Sequence, residues 1–324
     1  MYQYQGVLVL RCETDMLPGS GEGHDFIDRA VQRNVVTGIP YLQGSSKKGS
    51  LLNAAREGNM DDKTRDALFG KEGKDGHQGC YAVTDANVML FPAASPRGAY
   101  GWATTPLGLA WFSGLLCDAG FDGEGSLPRQ IQGLLRQISL RADQCLMPGN
   151  GAAPCPLAIA DVQTETHCAA LGGLLLKAFM NDALARIAAE LAKWVYPEDS
   201  AMQEFMKSRV VIMSEEAFRI LVDGGMQKEA SIQVLDTGVT EPKSLRYSEY
   251  LPARTVLVSP EYVKTPRVQG VSPEEAWKAQ CGLFGITDSP ARHRFGADET
   301  TGKGIVRTAF WVSPTAGAGS GGNT

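Results

Sequence analysis

Four short stretches of the chain carry residue types suited to chemistry. In Gly44-Ser45-Ser46-Lys47-Lys48-Gly49, two hydroxyls and two ammonium groups stand ahead of an amphipathic segment, Ser50 to Arg56. Leu51, Leu52 and Ala55 fall on one face at helical spacing, so a helix is predicted, with Ser45 or Ser46 as its N-cap. The free N–H groups and positive dipole end of such a start favour an anion, and the lysines add charge. A phosphate of a ligand or of a nucleic-acid backbone suits it; an ordinary capped helix with solvated lysines reads equally well. Asp28 lies behind a Gly-rich loop, Pro18 to Gly23, and five residues before Arg33. Alone, an aspartate there is a turn or cap residue. Between Leu245 and Pro252, Glu249 sits amid Tyr247 and Tyr250 in what is otherwise a half-buried strand. The stretch Gly296 to Gly304 contains G-K-G, but no Ser or Thr follows its lysine, so it is no P-loop.

These residues need a framework, and the composition describes one. The chain has 324 residues, 43% hydrophobic and 21% charged, which is globular and excludes wholesale disorder. No run approaches the ~18 apolar residues of a membrane helix. The N-terminus lacks a basic n-region and a cleavage site, so a signal peptide is not expected. A net charge of −5 excludes a polybasic coat. Even so, Arg29, Arg33, Lys47, Lys48 and Arg56 lie in a stretch without a single acid. Seven cysteines form no C-x-x-C and four histidines no metal spacing, which fits a reduced, cytoplasmic protein.

Along the chain, Gln5 to Cys12 reads as a strand buried on both faces, because Val7 to Leu10 is continuously apolar. Thr104 to Cys117, Gln130 to Leu140 and Glu215 to Val222 read as helices. Thr164 to Tyr196 is predicted as the strongest helical stretch, broken at Asn181-Asp182. Residues 229 to 259 alternate as strands with turns, Ser272 to Phe284 is a helix opening S-P-E-E, and Ile305 to Val312 is a strand. Residues 313 to 324 read as a flexible tail. No G-x-G-x-x-G follows a strand, so a Rossmann domain is not expected.

The order of the short stretches says more than any one of them. Residues 19 to 49, G-S-G-x-x-x-x-x-I-D-x-x-V-Q-R-x-x-x-T-G-I-P-Y-L-x-G-S-S-x-K-G, closely resemble the N-terminal signature of the RAMP superfamily of CRISPR proteins. Phe69-Gly70, Val83-Thr84-Asp85-Ala86 and Phe91-Pro92-x-x-Ser95 resemble its next block. Tyr247-Ser248-Glu249-Tyr250-Leu251-Pro252 and Gly296-x-x-Glu299-Thr300-Thr301-Gly302-Lys303-Gly304 complete it. The I-D-x-x-V-Q-R and Y-S-E-Y-L-P forms look most like the fourth subunit of type III-B (Cmr) effectors. The resemblance spans residues 5 to 312 and is least specific in 115 to 205.

What the resemblance implies is an α+β fold: a modified ferredoxin-like, RRM-like core (1 to 312) with a mainly helical insertion at 115 to 205 and a β-hairpin thumb within 229 to 259. It implies a subunit that polymerises along guide RNA and cuts target RNA at regular intervals, using a divalent metal, Mg²⁺ or Mn²⁺, and the ribose 2′-hydroxyl. Its partners would be guide (crRNA) and target RNA, further copies of itself and other Cmr subunits, with no membrane. By the same resemblance Asp28 is the catalytic carboxylate and metal ligand, with Glu249 and Tyr247 as auxiliaries. Arg33, Ser45, Ser46, Lys47, Lys48 and Arg56 match the guide-gripping block, and Asp85 a family acid or a structural cap. One departure stands out. The family often has a histidine where this chain has Leu17, and His24 in the same loop is the available substitute. A silent guide-binding backbone, and the related Csm-type subunit, therefore stay open.

Overall fold

The computed structural model describes residues 2–19, 27–149, 155–161, 166–232, 240, 244–286 and 289–313. The first half of the chain holds β1 (Tyr4–Cys12), β2 (Tyr41–Leu42), α1 (Gly44–Glu57), α2 (Asp62–Phe69), β3 (Gly70–Lys71), β4 (His77–Gln78), β5 (Tyr81–Val83), β6 (Ala86–Ala94), β7 (Tyr100–Thr104) and α3 (Pro106–Asp118). Next come α4 (Leu127–Leu135), β8 (Gln144–Pro148), β9 (Ile159–Asp161), β10 (Thr166–Leu171), β11 (Leu174–Asn181), α5 (Asp182–Val195), α6 (Ser200–Lys207) and β12 (Val210–Met213). The last third holds α7 (Glu215–Gly225), β13 (Gln227–Ser231), β14 (Arg246–Tyr250), β15 (Val256–Val263), α8 (Pro273–Phe284), β16 (Gly285–Ile286), β17 (Ser289–Arg294) and β18 (Ile305–Val312).

One large mixed sheet runs in the order β16-β17-β18-β1-β15-β6-β7-β12-β8-β11-β10-β9, with β2 on β6 and β5 on β15. In its centre β18, β1, β15 and β6 are all antiparallel neighbours. α1 and α2 lie between β1 and β6 in the chain, and α8 between β15 and β18. β1 is buried on both faces, as its continuous apolar run predicts. Leu8 and Leu10 join Leu51, Leu68, Trp277 and Phe284 in one core. Val7 and Val9 join Phe112, Ile131, Leu184 and Leu191 in the other. Each such fully buried aliphatic or aromatic side chain stabilises the fold by about 1.5–3 kcal/mol.

Local chemistry explains where the helices begin. Thr105 caps α3 through the Gly108 N–H, with proline in its first turn. Ser272 and Glu275 form a capping box at α8.

The helical expectation for Thr164 to Tyr196 is corrected. Residues 166–181 are the hairpin β10–β11, and only from Asp182 does a helix run. Gly172 and Gly173 have φ of 54° and 88°, and Leu171 pairs with Leu174. That is the two-residue turn that positive φ at both central positions favours. Asn181 then caps α5 by accepting the Leu184 N–H at 2.8 Å. Residues 115–205 accordingly carry β8 to β11 as well as helices. The strands expected over 229 to 259 divide as well. β13 and β14 form a separate two-stranded sheet, while β15 belongs to the main one. The turns expected within 229 to 259 fall among residues 233–239 and 241–243, which, like 314–324 of the expected tail, lie outside the described residues.

Candidate functional site

The residues 27–33 run alongside β14, and this pairing brings together what the chain separates by more than two hundred positions. Arg29 bridges Ser248. The Asp28 N–H donates to the Tyr247 carbonyl at 2.9 Å, and the Glu249 N–H to the Arg29 carbonyl at 2.9 Å. Asp28 is exposed, and its Oδ2 accepts the Tyr247 N–H at 2.7 Å. The Tyr247 side chain is also exposed. Asp28 and Tyr247 thus share one accessible edge beside the β13–β14 hairpin.

Glu249 belongs to the same cluster but faces inward and is buried. Arg33 Nη2 donates to its Oε1 at 3.0 Å, and the Val31 N–H reaches Oε2 at 3.4 Å. Arg33 also donates to Asp223 at 2.8 Å and to the Gly38 carbonyl at 3.2 Å. Arg33, expected at an RNA contact, has its guanidinium engaged with two carboxylates, one of them in α7. Arg33 fixes Glu249, and Glu249 fixes the segment that carries Asp28.

The α1 start differs from expectation in two ways. Gln43, without a side-chain bond, is the N-cap, and Ser45 and Ser46 lie exposed inside the first turn. The cap comes from elsewhere: Asp85 Oδ1 accepts the Gly44 N–H at 2.7 Å. A carboxylate thus satisfies the first N–H of the helix start. Lys47 is fully buried and not a surface cation. Its Nζ donates to Ser259 at 2.8 Å and Glu261 at 2.6 Å, and the Tyr81 hydroxyl donates to the other Glu261 oxygen. Burial pulls the Lys47 ammonium below its ordinary value, against the charge of Glu261. Burial, then the Glu261 charge, push the Tyr81 phenol well above its own. Lys48 and Arg56 are exposed, as expected.

The loop after β17 closes the site from below. Asp298, in the left-handed region at φ 64°, accepts from Arg29 and, at 2.7 Å, from the Tyr250 hydroxyl. Lys303 donates to Asp15 at 3.2 Å and to Glu229 in β13 at 2.5 Å, with its Nζ 4.6 Å from the Tyr250 ring centre. Gly296 is required here: a Cβ would sit 2.3 Å from the Leu17 carbonyl oxygen. Leu17 itself is buried, and its carbonyl accepts the Ala297 N–H at 3.0 Å. His24 lies outside the described residues. Asp298 has no counterpart in the sequence analysis, where Arg29, Tyr250 and Lys303 figure only within the basic stretch, the Tyr247–Pro252 block and the Gly296–Gly304 block, with no role in this network.

Asp28 is the sole carboxylate of this cluster that is both exposed and free of an arginine or lysine among the described residues. No group of three or more His, Cys, Asp or Glu among them could hold a metal ion. That donor set does not make a protein cage. Asp28 alone would hold a hydrated Mg²⁺ or Mn²⁺, which tolerates a single protein carboxylate. No helix among the described residues is long and apolar enough to cross a membrane.

Residues 9–307 match the RAMP superfamily, and the chain belongs to it. Among its relatives is the CRISPR system Cmr endoribonuclease Cmr4 of Pyrococcus furiosus, 26% identical over 298 residues, covering 90% of this chain and 91% of the relative. The oligomeric Cmr4 crystal structure from the same organism has a TM-score of 0.66 at 22% identity, covering 96% of this chain and 98% of that one. A chain of the type III-B Cmr-beta complex bound to cognate target RNA has a TM-score of 0.71 at 17% identity, covering 95% and 98%. At these identities the structural likenesses establish the fold.

Proposed function

We propose that this chain is the repeated backbone subunit of a type III-B CRISPR effector, holding guide RNA along a filament and cutting target RNA at regular intervals. The observation that carries the reading is the convergence of Asp28, Tyr247 and Glu249 at one edge beside the hairpin. The relative named a Cmr endoribonuclease, and the oligomeric and target-bound likenesses, support it. The central order β18-β1-β15-β6, with α1 and α2 in the first crossover and α8 in the second, supports a modified ferredoxin-like core. On this reading the β13–β14 hairpin is the thumb, and residues 115–205 fall within the insertion between β6 and β15.

The chemistry follows from the residues. The ribose 2′-hydroxyl loses its proton and attacks the neighbouring phosphorus, and the 5′-oxygen of the next nucleotide leaves, taking a proton from water. The products are a 2′,3′-cyclic phosphate and a 5′-hydroxyl. Asp28, oriented by the Tyr247 N–H, either accepts the 2′-hydroxyl proton or holds a hydrated divalent ion. That ion, when bound, would offset the negative charge that builds on the phosphate oxygens. Tyr247 presents its ring to the RNA. Glu249 acts by holding the Asp28 segment, since Arg33 already occupies it. Lys48 and Arg56 supply phosphate contacts, which read no base edge and so tolerate any guide sequence.

A catalytically silent backbone is the second reading, favoured by the burial of Leu17 where the family often has a histidine. Co-purification from cells, followed by sequencing of bound RNA and incubation with a complementary target, tests both. The proposal expects uniform short guides and regularly spaced cuts. Guides without cuts would favour the silent backbone, and absence of RNA would overturn the assembly itself.

A further inference from the structure

We propose that Asp298 is a positioning residue for RNA cleavage: one carboxylate clamps the two strands that present the site. The inference rests on the reading of Asp28 as the catalytic carboxylate. Asp28 and Tyr247 lie on different segments, 27–33 and β14, joined by few main-chain bonds. Asp298 binds one residue of each segment: it accepts from Arg29, which follows Asp28, and from the hydroxyl of Tyr250, three residues beyond Tyr247 in β14. A third segment therefore sets the separation of the other two.

Three further observations place this clamp on the loop by design of its backbone. Asp298 is one of four described non-glycine residues with positive φ, a conformation aspartate tolerates better than most. Gly304 allows the loop to close, because a Cβ there would lie 2.1 Å from the Phe295 carbonyl oxygen. Lys303, from the same loop, grips Glu229 in β13 and Asp15 after β1, so the hairpin base is held from the same side. Strain kept at a site and over-determined by its neighbours is what pre-organisation requires. A misplacement of about 1 Å is enough to cost on the order of a hundredfold in rate.

Asp298→Asn is the informative variant, since asparagine also accepts positive φ and keeps one acceptor, while the charge is lost. In the assembled complex, single-turnover cleavage at saturating target should fall about ten- to a hundredfold, with guide and target affinity unchanged. In the full-length chain, hydrogen exchange of the Asp28, Arg29 and Glu249 amides should quicken about tenfold, with β1 unchanged. Tyr250→Phe should lose less, and adding it to Asp298→Asn should cost little more, because both act through one carboxylate. Full cleavage by Asp298→Asn, a loss explained by weaker RNA binding, unaltered exchange, or additive losses in the double variant would each overturn the clamp. Asp28→Asn run in parallel separates the claims. If it alone abolishes cleavage, only the positioning role fails; if both cut normally, the reading of the site fails and takes the clamp with it.

Discussion

At the scale of single residues, the two adjacent lysines of α1 make opposite predictions. Lys47 is fully buried against Glu261, so Lys47→Met leaves a carboxylate buried without its cation. That should destabilise the chain by about 3–5 kcal/mol, seen as a lower urea midpoint, and Glu261→Leu added to it should restore much of the loss. Lys48 is exposed, so Lys48→Glu should leave the midpoint unchanged. It should weaken guide binding and lower the salt slope by about one counterion or more. An unchanged slope would remove Lys48 from the RNA contact. The difference was legible in part. Gly44, Lys47, Leu51 and Ala55 are the buried stripe of α1, and the spacing Lys47, Leu51, Ala55 is i, i+4, i+8. What no spacing can reveal is Glu261, because it arrives on this helix from 214 residues away. The Arg33–Glu249 pair was hidden for the same reason, whereas the nearness of Asp28 to Tyr247 and Glu249 was expected from the order of their motifs.

At the scale of elements, strong local signals were read correctly and weaker ones lost to tertiary pairing. The α8 capping box and the apolar run of β1 each specify one structure. In 164–196, apolar residues at roughly helical spacing outweighed Gly172-Gly173, yet that pair is the hairpin turn. Leu174, Leu175 and Leu176 then alternate between faces, with Leu175 exposed and Leu176 buried. The hairpin β13–β14 pairs over five residues, from Gln227–Tyr250 to Ser231–Arg246, as a sheet of its own. Deleting residues 236–243 should therefore leave the main sheet and guide binding intact. Target cuts should lose their regular spacing, read on a sequencing gel. Normal spacing would place the thumb elsewhere.

At the scale of the whole molecule, acid should loosen the contacts of the segment after β1 and of the loop after β17 before it touches the cores. Burial raises the Glu13 carboxyl, but hydrogen bonds and charges from Arg307 and Arg292 outweigh it and leave it below its ordinary 4.5. Asp298 behaves alike: burial raises it, and Arg29, Tyr250 and Lys303 together bring it below 3.8. Folded values below unfolded ones mean that this stability is present above the ordinary values and is lost as pH falls through the lowered ones. Stability should then be flat on this account at neutral pH and fall below about pH 4. Asp298→Asn should make that acid limb shallower in a series of urea melts. An unchanged limb would remove Asp298 from it.

The central claim is that an exposed aspartate on this edge performs the cut, and Asp28→Asn in the assembled, guide-loaded complex tests it most directly. Target binding and single-turnover cleavage should be measured on the same preparation, with and without EDTA. Binding is spread over many phosphates and should stay near the wild-type value. Cleavage should fall by about two to three orders of magnitude, EDTA should reproduce the loss in the wild type, and Mg²⁺ or Mn²⁺ should reverse it. Wild-type cleavage by Asp28→Asn would contradict the account.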